Sequence, residues 1–164
     1  MHDVDFMATY EAVMKQIQAG AFLTVQAGEA LNTMTIGWAT IGHAWRQPVM
    51  MVMVRSSRHT FGIIEKAADF TVSVPAGDMK KEIAFCGTRS GREVDKFKAC
   101  GLKTAPSRRV ASPIIQIPGT HFECRIVYKN AIAPEFLTRD YDPIYPEKDY
   151  HSLYFGEIQA CYSV

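Results

Sequence analysis

Two short polar blocks in this sequence carry the residue types that hold an anion. The first is Arg55-Ser56-Ser57-Arg58-His59-Thr60, which follows the apolar run Val49–Val54. The spacing predicts a helix N-capped by Ser57, with its body from about Phe61 to Ala68 and Thr60 in its first turn. N–H groups at a helix start, hydroxyls and guanidinium groups together suit a phosphate. The same residues also read as an ordinary N-cap flanked by solvated arginines. The second block runs Cys86-Gly87-Thr88-Arg89-Ser90-Gly91-Arg92-Glu93-Val94-Asp95-Lys96-Phe97. Gly87 and Gly91 let backbone approach a ligand closely, and Arg89, Arg92 and Lys96 add positive charge. The alternative is a solvent-exposed loop between helices.

A third segment, Asn32-Thr33-Met34-Thr35-Ile36-Gly37-Trp38, is rich in threonine and has little bulk at Gly37. A strand of this kind offers backbone N–H and C=O groups along the edge of a flat heterocycle such as isoalloxazine, with a nearby donor or cation favouring the reduced anion. It also reads as an ordinary strand, since threonine suits β structure. Trp38 is expected in the core, where a large aromatic on a strand usually packs.

The elements that must position these blocks follow from periodicity. Phe6, Tyr10, Val13, Met14 and Ile17 recur at helical spacing before Gly20. Ala21–Val25 reads as a strand. Leu31–Ile41 reads as a strand pair or one strand bent at Gly37. Val49–Val54 predicts a buried strand and Phe70–Val74 another. Met79–Phe85 predicts a short helix, Cys86–Arg92 a polar loop, and Val94–Cys100 a helix stopped by Gly101. Ile114–Ile117 is a brief strand. His121–Lys129 alternates, with His121, Glu123, Arg125, Val127 and Lys129 on one face. Ala131–Leu137 and Leu153–Ala160 are expected strands, and Thr138–Asp149 a surface loop. About seven short strands with helices between them, and no glycine-rich first turn, predict a mainly β, Greek-key barrel with helical insertions.

Composition narrows the function. A length of 164 residues suits one domain over 1–164, and 48% hydrophobic with 21% charged residues is globular rather than disordered. A net charge of +1 excludes the basic footprint of a nucleic-acid binder. The start Met1-His2-Asp3-Val4-Asp5 lacks a basic then apolar segment, and Val49–Val54 is too short to span a bilayer, so a soluble, cytoplasmic protein is expected. Cys86, Cys100, Cys124 and Cys161 show no zinc or C-x-x-C spacing. They are expected to be free thiols, with no metal site.

These segments, in this order, resemble the flavin reductase-like family with the FMN-binding split β-barrel, in particular its flavoredoxin-like branch. The likeness rests on Asn32–Trp38, the Pro48 strand ending in Arg55, Ser57–Thr60, Phe70–Pro75, Ser90–Phe97 and Tyr154-Phe155-Gly156-Glu157-Ile158. It implies a homodimeric split barrel with non-covalent FMN near the subunit interface. It places Met34, Thr35, Ile36 and Gly37 against the isoalloxazine, and Arg55, Ser57, Arg58, His59 and Thr60 at the ribityl-phosphate end. Asn32, Thr33, Ser56, Cys86, Gly87, Ser90, Gly91 and the further cation Lys96 complete the expected cofactor site. The implied activity is that of an NAD(P)H-dependent flavin oxidoreductase, with the nicotinamide a transient co-substrate because no dinucleotide fingerprint is present. No protein nucleophile or acid–base pair is expected, and Cys86 is expected to be structural. The alternatives are an electron carrier without nicotinamide oxidation, and a barrel-type binding module with no redox role.

Overall fold

The computed structural model describes residues 2–164. Its elements, in chain order, are β1 (His2–Asp3), α1 (Phe6–Ala19), β2 (Ala21–Ala27), β3 (Ala30–Ile36), β4 (Ala39–Ala44), β5 (Gln47–Arg55), α2 (His59–Ile64) and β6 (Asp69–Pro75). There follow α3 (Lys80–Thr88), α4 (Lys96–Cys100), β7 (Thr104–Ala105), β8 (Ile114–Ile115), β9 (Gly119–Ala131), 3-10 turns at Pro134–Phe136 and Arg139–Ile144, and β10 (His151–Ser163). No helix among these residues is long and apolar enough to cross a membrane.

The main sheet runs β3-β2-β6-β9-β10-β5-β4, antiparallel at every pairing, with β1 added alongside β10. No ladder joins β3 to β4, so hydrogen bonding does not close the barrel. Yet β3 and β4, the two ends of the path, are consecutive in sequence and linked only by Gly37 and Trp38. Six inter-strand gaps would set the ends of a flat sheet roughly 29 Å apart. The link from Ile36 to Ala39 reaches at most about 11 Å. The sheet must therefore curl until its ends meet at Gly37, which is the mainly β, barrel-like architecture expected, split along one seam.

Apolar residues fill the curl. Phe70, Phe122, Val72, Met50, Val52, Val54 and Tyr154 are fully buried, with Val13 and Ile17 of α1 packed among them. Each such side chain contributes about 1.5–3 kcal/mol of burial. Helix α1 begins at Asp5, whose Oδ1 accepts from Met7 N–H at 2.9 Å, and ends at Gly20. Of the predicted apolar face, Tyr10 stays exposed. A second cluster of Phe22, Ile83, Cys86, Leu102, Ile115 and Ile117 fixes α3 and α4 to the sheet.

Several expectations are corrected. Helix α2 is capped at Arg58 rather than Ser57 and runs His59–Ile64, ending short of the expected Ala68. Helix α3 continues to Thr88, so Cys86, Gly87 and Thr88 are helical rather than loop. The Ala131–Leu137 strand does not form: only Ala131 pairs, and Pro134 opens a 3-10 turn because it fixes φ and donates no N–H. In the apolar run of β5, Met51 and Met53 are only half-buried and face outward.

Strand β9 buries both faces over His121–Cys124. The polar face is satisfied from an adjoining loop. Glu123 accepts from the N–H groups of Arg108 (2.7 Å) and Arg109 (2.6 Å) and from Tyr162 Oη (2.6 Å). Asp69 likewise accepts from Ala111 and Ser112 N–H. Replacing Glu123 by Ala should leave these donors unsatisfied in the interior and cost of order 3 kcal/mol, read as a lowered urea midpoint. A variant as stable as the parent would show that water satisfies the loop instead.

Candidate functional site

Two clefts open beside the seam and share Met34 and Arg58. The first, of about 210 Å³, is bounded by Met34, Thr35, Ile36, Gly37 and Trp38 on one side and by Met53, Arg55 and His151 on the other. The second, of about 350 Å³, lies where the β5–α2 turn meets α3 and the segment after it. Together they fall within the range of small-molecule sites, roughly 300–1,000 Å³.

Positive charge gathers around the second cleft. Arg58, Arg89, Arg92, Lys96 and His59 line it, with Glu93 as the carboxylate on its wall. Lys96 is 4% exposed. Its Nζ donates to the Cys86 carbonyl at 2.7 Å and pairs with no carboxylate among the described residues. Burial pushes the ammonium below the usual lysine range. His59 is lowered too, by burial and then by Arg92 and Lys96. A buried cation without an anion is costly, and its position in a cleft wall marks a place for a negatively charged ligand.

Close approach shapes the same wall. A Cβ on Gly91 would lie 2.4 Å from Asn32 Oδ1 and 2.7 Å from His59 Cδ2, so only glycine lets this segment reach the sheet. Arg58 donates to the Gly87 carbonyl at 3.4 Å and Arg92 to the Ser57 carbonyl at 3.0 Å, tying the cleft's two sides together.

The first cleft differs in character. Strand β3 pairs only with β2, so one row of its backbone groups has no ladder partner and faces the cleft edge. Trp38, expected in the core, is 47% exposed and lies against His151, ring centroids 5.1 Å apart. The short turn at the seam leaves it no interior to enter. Tyr145 Oη and His151 Nδ1 are 2.8 Å apart. Arg55 donates to the Ile144 carbonyl at 3.1 Å and covers the Tyr145 ring at 5.2 Å.

The structure sorts the predicted site residues. Asn32, Met34, Ser57, Arg58, His59, Thr60, Cys86, Gly87, Ser90, Gly91 and Lys96 converge on the second cleft, and Met34, Thr35, Ile36 and Gly37 on the first. Three do not join as expected. Thr33 is fully buried and donates to the Leu23 carbonyl, since its side chain alternates away from the cleft. Ser56 lines neither cleft and donates to Asp149. Arg55 opens on the first cleft, not the second. Ser57 does not cap α2: Arg58 occupies the cap position, and the Ser57 hydroxyl is held by Asp149. Thr60 is not a surface hydroxyl; it is 1% exposed and accepts from Asn32 Nδ2 at 2.8 Å. Cys86 is buried, and burial pushes its thiol up, which fits a packing role. Sequence reasoning missed His151, Met53 and Asp149. Met53 stands two residues before Arg55 in a run read as wholly buried, and strand alternation turns it outward. His151 and Asp149 lie more than ninety positions from Arg55 and Ser56, and the only sequence hint is their place just before a strong strand pattern.

An antiparallel sheet curled to a seam, with an edge strand beside a cation-lined cleft, defines the class: a barrel-like protein with a site whose charge suits an anion. The comparisons with known proteins agree: residues 14–164 match the Flavin reductase like domain family, and the chain belongs to that family. It is 28% identical over 137 residues to an uncharacterised protein of Archaeoglobus fulgidus, covering 84% of this chain and 68% of that one. It is 29% identical over 134 residues to one of Pyrococcus abyssi, covering 81% and 66%. The chain thus spans about two-thirds of the length of these relatives. Flavoredoxin of Methanosarcina acetivorans superposes with a TM-score of 0.71 at 25% identity, over 88% of this chain and 68% of that chain. An FMN-binding protein of Thermus thermophilus superposes at 0.69 and 24% identity, over 88% and 69%. The latter likeness shows the fold alone. Family and neighbours support a flavin-binding redox role.

Burial lowers His151 to about 4, with Arg55 adding to the effect. Its folded value lies below the unfolded one, so the unfolded chain takes up the proton first as pH falls. His151 therefore lowers stability progressively from about pH 6.5 down to about pH 4. His151→Gln should show a shallower decline than the parent across that window in urea titrations. Parallel curves would remove His151 from the account.

Proposed function

We propose that this chain binds one FMN non-covalently and passes electrons through it, from a reduced nicotinamide or a protein donor to an acceptor. Lys96 carries the reading: a buried ammonium without a carboxylate, in the wall of a cleft already lined by Arg58, Arg92 and His59. A phosphate supplies the missing charge. Lys96, Arg58, Arg92, His59 and Ser90 would hold the phosphate end. The Met34–Gly37 edge and Trp38 would hold the ring.

When bound, FMN supplies hydride and one-electron chemistry. The chain's own residues bind, orient and shield. Met34, Ile36 and Met53 present apolar surface that keeps water from one side of the first cleft. The β3 edge offers N–H and C=O groups at fixed spacing to the polar rim of a flat ring. No cleft side chain is placed as a nucleophile, and the thiol nearest the cleft, Cys86, is buried. The open side of the first cleft is where a nicotinamide would visit transiently. The outward Trp38, Met51 and Met53 suit the homodimer that belongs to the same reading. A second reading, an electron carrier without nicotinamide oxidation, is favoured by the likeness to flavoredoxin.

The purified protein should take up one equivalent of FMN with a flavin absorbance spectrum. Lys96→Met keeps the side-chain length and deletes the charge. It should weaken FMN about 10–100-fold, the scale of a charged hydrogen bond. Riboflavin, which lacks the phosphate, should bind the variant as it binds the parent. An unchanged FMN affinity would withdraw the phosphate assignment.

Anaerobic titration separates the two functional readings. Rapid bleaching of bound flavin by NADH or NADPH is expected of the oxidoreductase. A flavin bleached by dithionite but not by either nicotinamide would leave the carrier.

A further inference from the structure

The donors of the β5–α2 turn are already taken by the chain itself. Ser56 Oγ donates to Asp149 Oδ1 at 2.9 Å, Ser57 Oγ to Oδ2 at 2.5 Å, and Ser57 N–H to Oδ1 at 3.3 Å. Two hydroxyls and a backbone N–H around both oxygens of a carboxylate form the kind of receptor a phosphate uses. A serine hydroxyl has one proton to give. While Asp149 holds it, Ser57, which lines the second cleft, has no O–H left for a ligand there.

Asp149 sits in a separate small unit, the turn Tyr145–Tyr150. Lys148 N–H donates to the Tyr145 carbonyl at 2.9 Å, Lys148 stands at φ 53°, and the rings of Tyr145 and Tyr150 lie 4.8 Å apart. Tyr145 is buried, but residues 146–148 are exposed. The β5–β10 ladder starts only at His151, paired with Arg55. Between the Tyr145 anchor and that ladder, the Asp149 carboxylate is what fastens the turn to Ser56 and Ser57. Burial alone would raise its carboxyl, but the hydrogen bonds from Ser57 and Ser56, with Arg55 nearby, outweigh that and hold it below its usual range.

The geometry points to Asp149 as an internal anion that competes with a bound phosphate for the donors of Ser57, so that the Tyr145–Tyr150 turn is loosened when a phosphate draws Ser57 away. The inference rests on the FMN reading and adds a device that sets how firmly the phosphate end is held. The Ser57 hydroxyl has one proton, so either the ligand's phosphate or the Asp149 carboxylate takes it.

Trypsin reads the turn directly, because Lys148 is its cleavage point beside Asp149. Digestion followed by mass spectrometry is compared with no ligand, with FMN and with riboflavin, alongside fluorescence titration of both flavins. In the parent, FMN should accelerate cleavage after Lys148 and riboflavin should not. Asp149→Ala should be cleaved quickly without ligand and should prefer FMN over riboflavin about tenfold more than the parent does, the scale of a charge-assisted hydrogen bond. Asp149→Asn, which keeps an acceptor and loses the charge, should fall between. The competition is overturned if FMN binds the parent yet leaves cleavage at Lys148 unchanged or slower, or if Asp149→Ala leaves the FMN-to-riboflavin preference unchanged or reduced. A parent that binds neither flavin overturns the FMN reading itself, and the competition with it.

Discussion

Two residues, Gly37 and Trp38, join the opposite ends of a seven-strand path. That short covalent link is the constraint from which the rest of the architecture follows. A sheet whose first and last strands are tied so closely has to curl, and the curl sets its apolar residues facing inward around Phe70, Phe122 and Tyr154. It also leaves a seam that hydrogen bonding does not close. The backbone of β3 is therefore free along one side, the C-terminal end of α1 lies beneath Gly37, and Trp38 is pressed outward against His151. The first cleft is the seam seen from outside.

Charge is distributed by the same logic. The chain is close to neutral, with 18 basic and 17 acidic residues, so composition gives no hint of an anion site. The fold separates what composition averages. Glu123 and Asp69 are spent on backbone N–H groups of the loop at 108–112, and Glu65 and Glu157 pair with Lys129 and Arg125 at the surface. The cations of the second cleft are left with Glu93 as the carboxylate beside them, and Lys96 is buried among them without an acid. A preorganised group of this kind does not have to be assembled when a ligand arrives, which lowers the cost of binding.

The β5–α2 turn stands between an internal carboxylate and the cation-lined cleft. Its donors face a carboxylate from the turn preceding β10 while its outer residues, Ser57, Arg58 and His59, border the cleft. This juxtaposition depends on the β5–β10 ladder, which sets His151 opposite Arg55 and so brings residues nearly a hundred positions apart within bonding reach.

Local pattern determined a large part of this protein. The helical spacing ending at Gly20, the existence of strand β9, the break at Gly37 and the order of the family segments are properties of neighbouring residues, and they were legible in the sequence; that both faces of β9 are buried over His121–Cys124, and that Gly91 closes on Asn32 and His59, were not. Convergence of Arg58, His59, Ser90 and Lys96 was legible too, because each stands in a polar block with its own local signal. What only the tertiary structure decided is whatever depends on pairing across long sequence distance. Thr33 and Ser56 turn away from the clefts because pleat and turn direction, not residue type, aim a side chain. Thr60 is buried because Asn32 comes to meet it, and Trp38 is exposed because the seam gives it no interior. Lys96 becomes a buried, unpaired cation, and His151 and Asp149 reach the site, because α4 and β10 arrive there from elsewhere in the chain; no window of sequence contains both partners of such a contact.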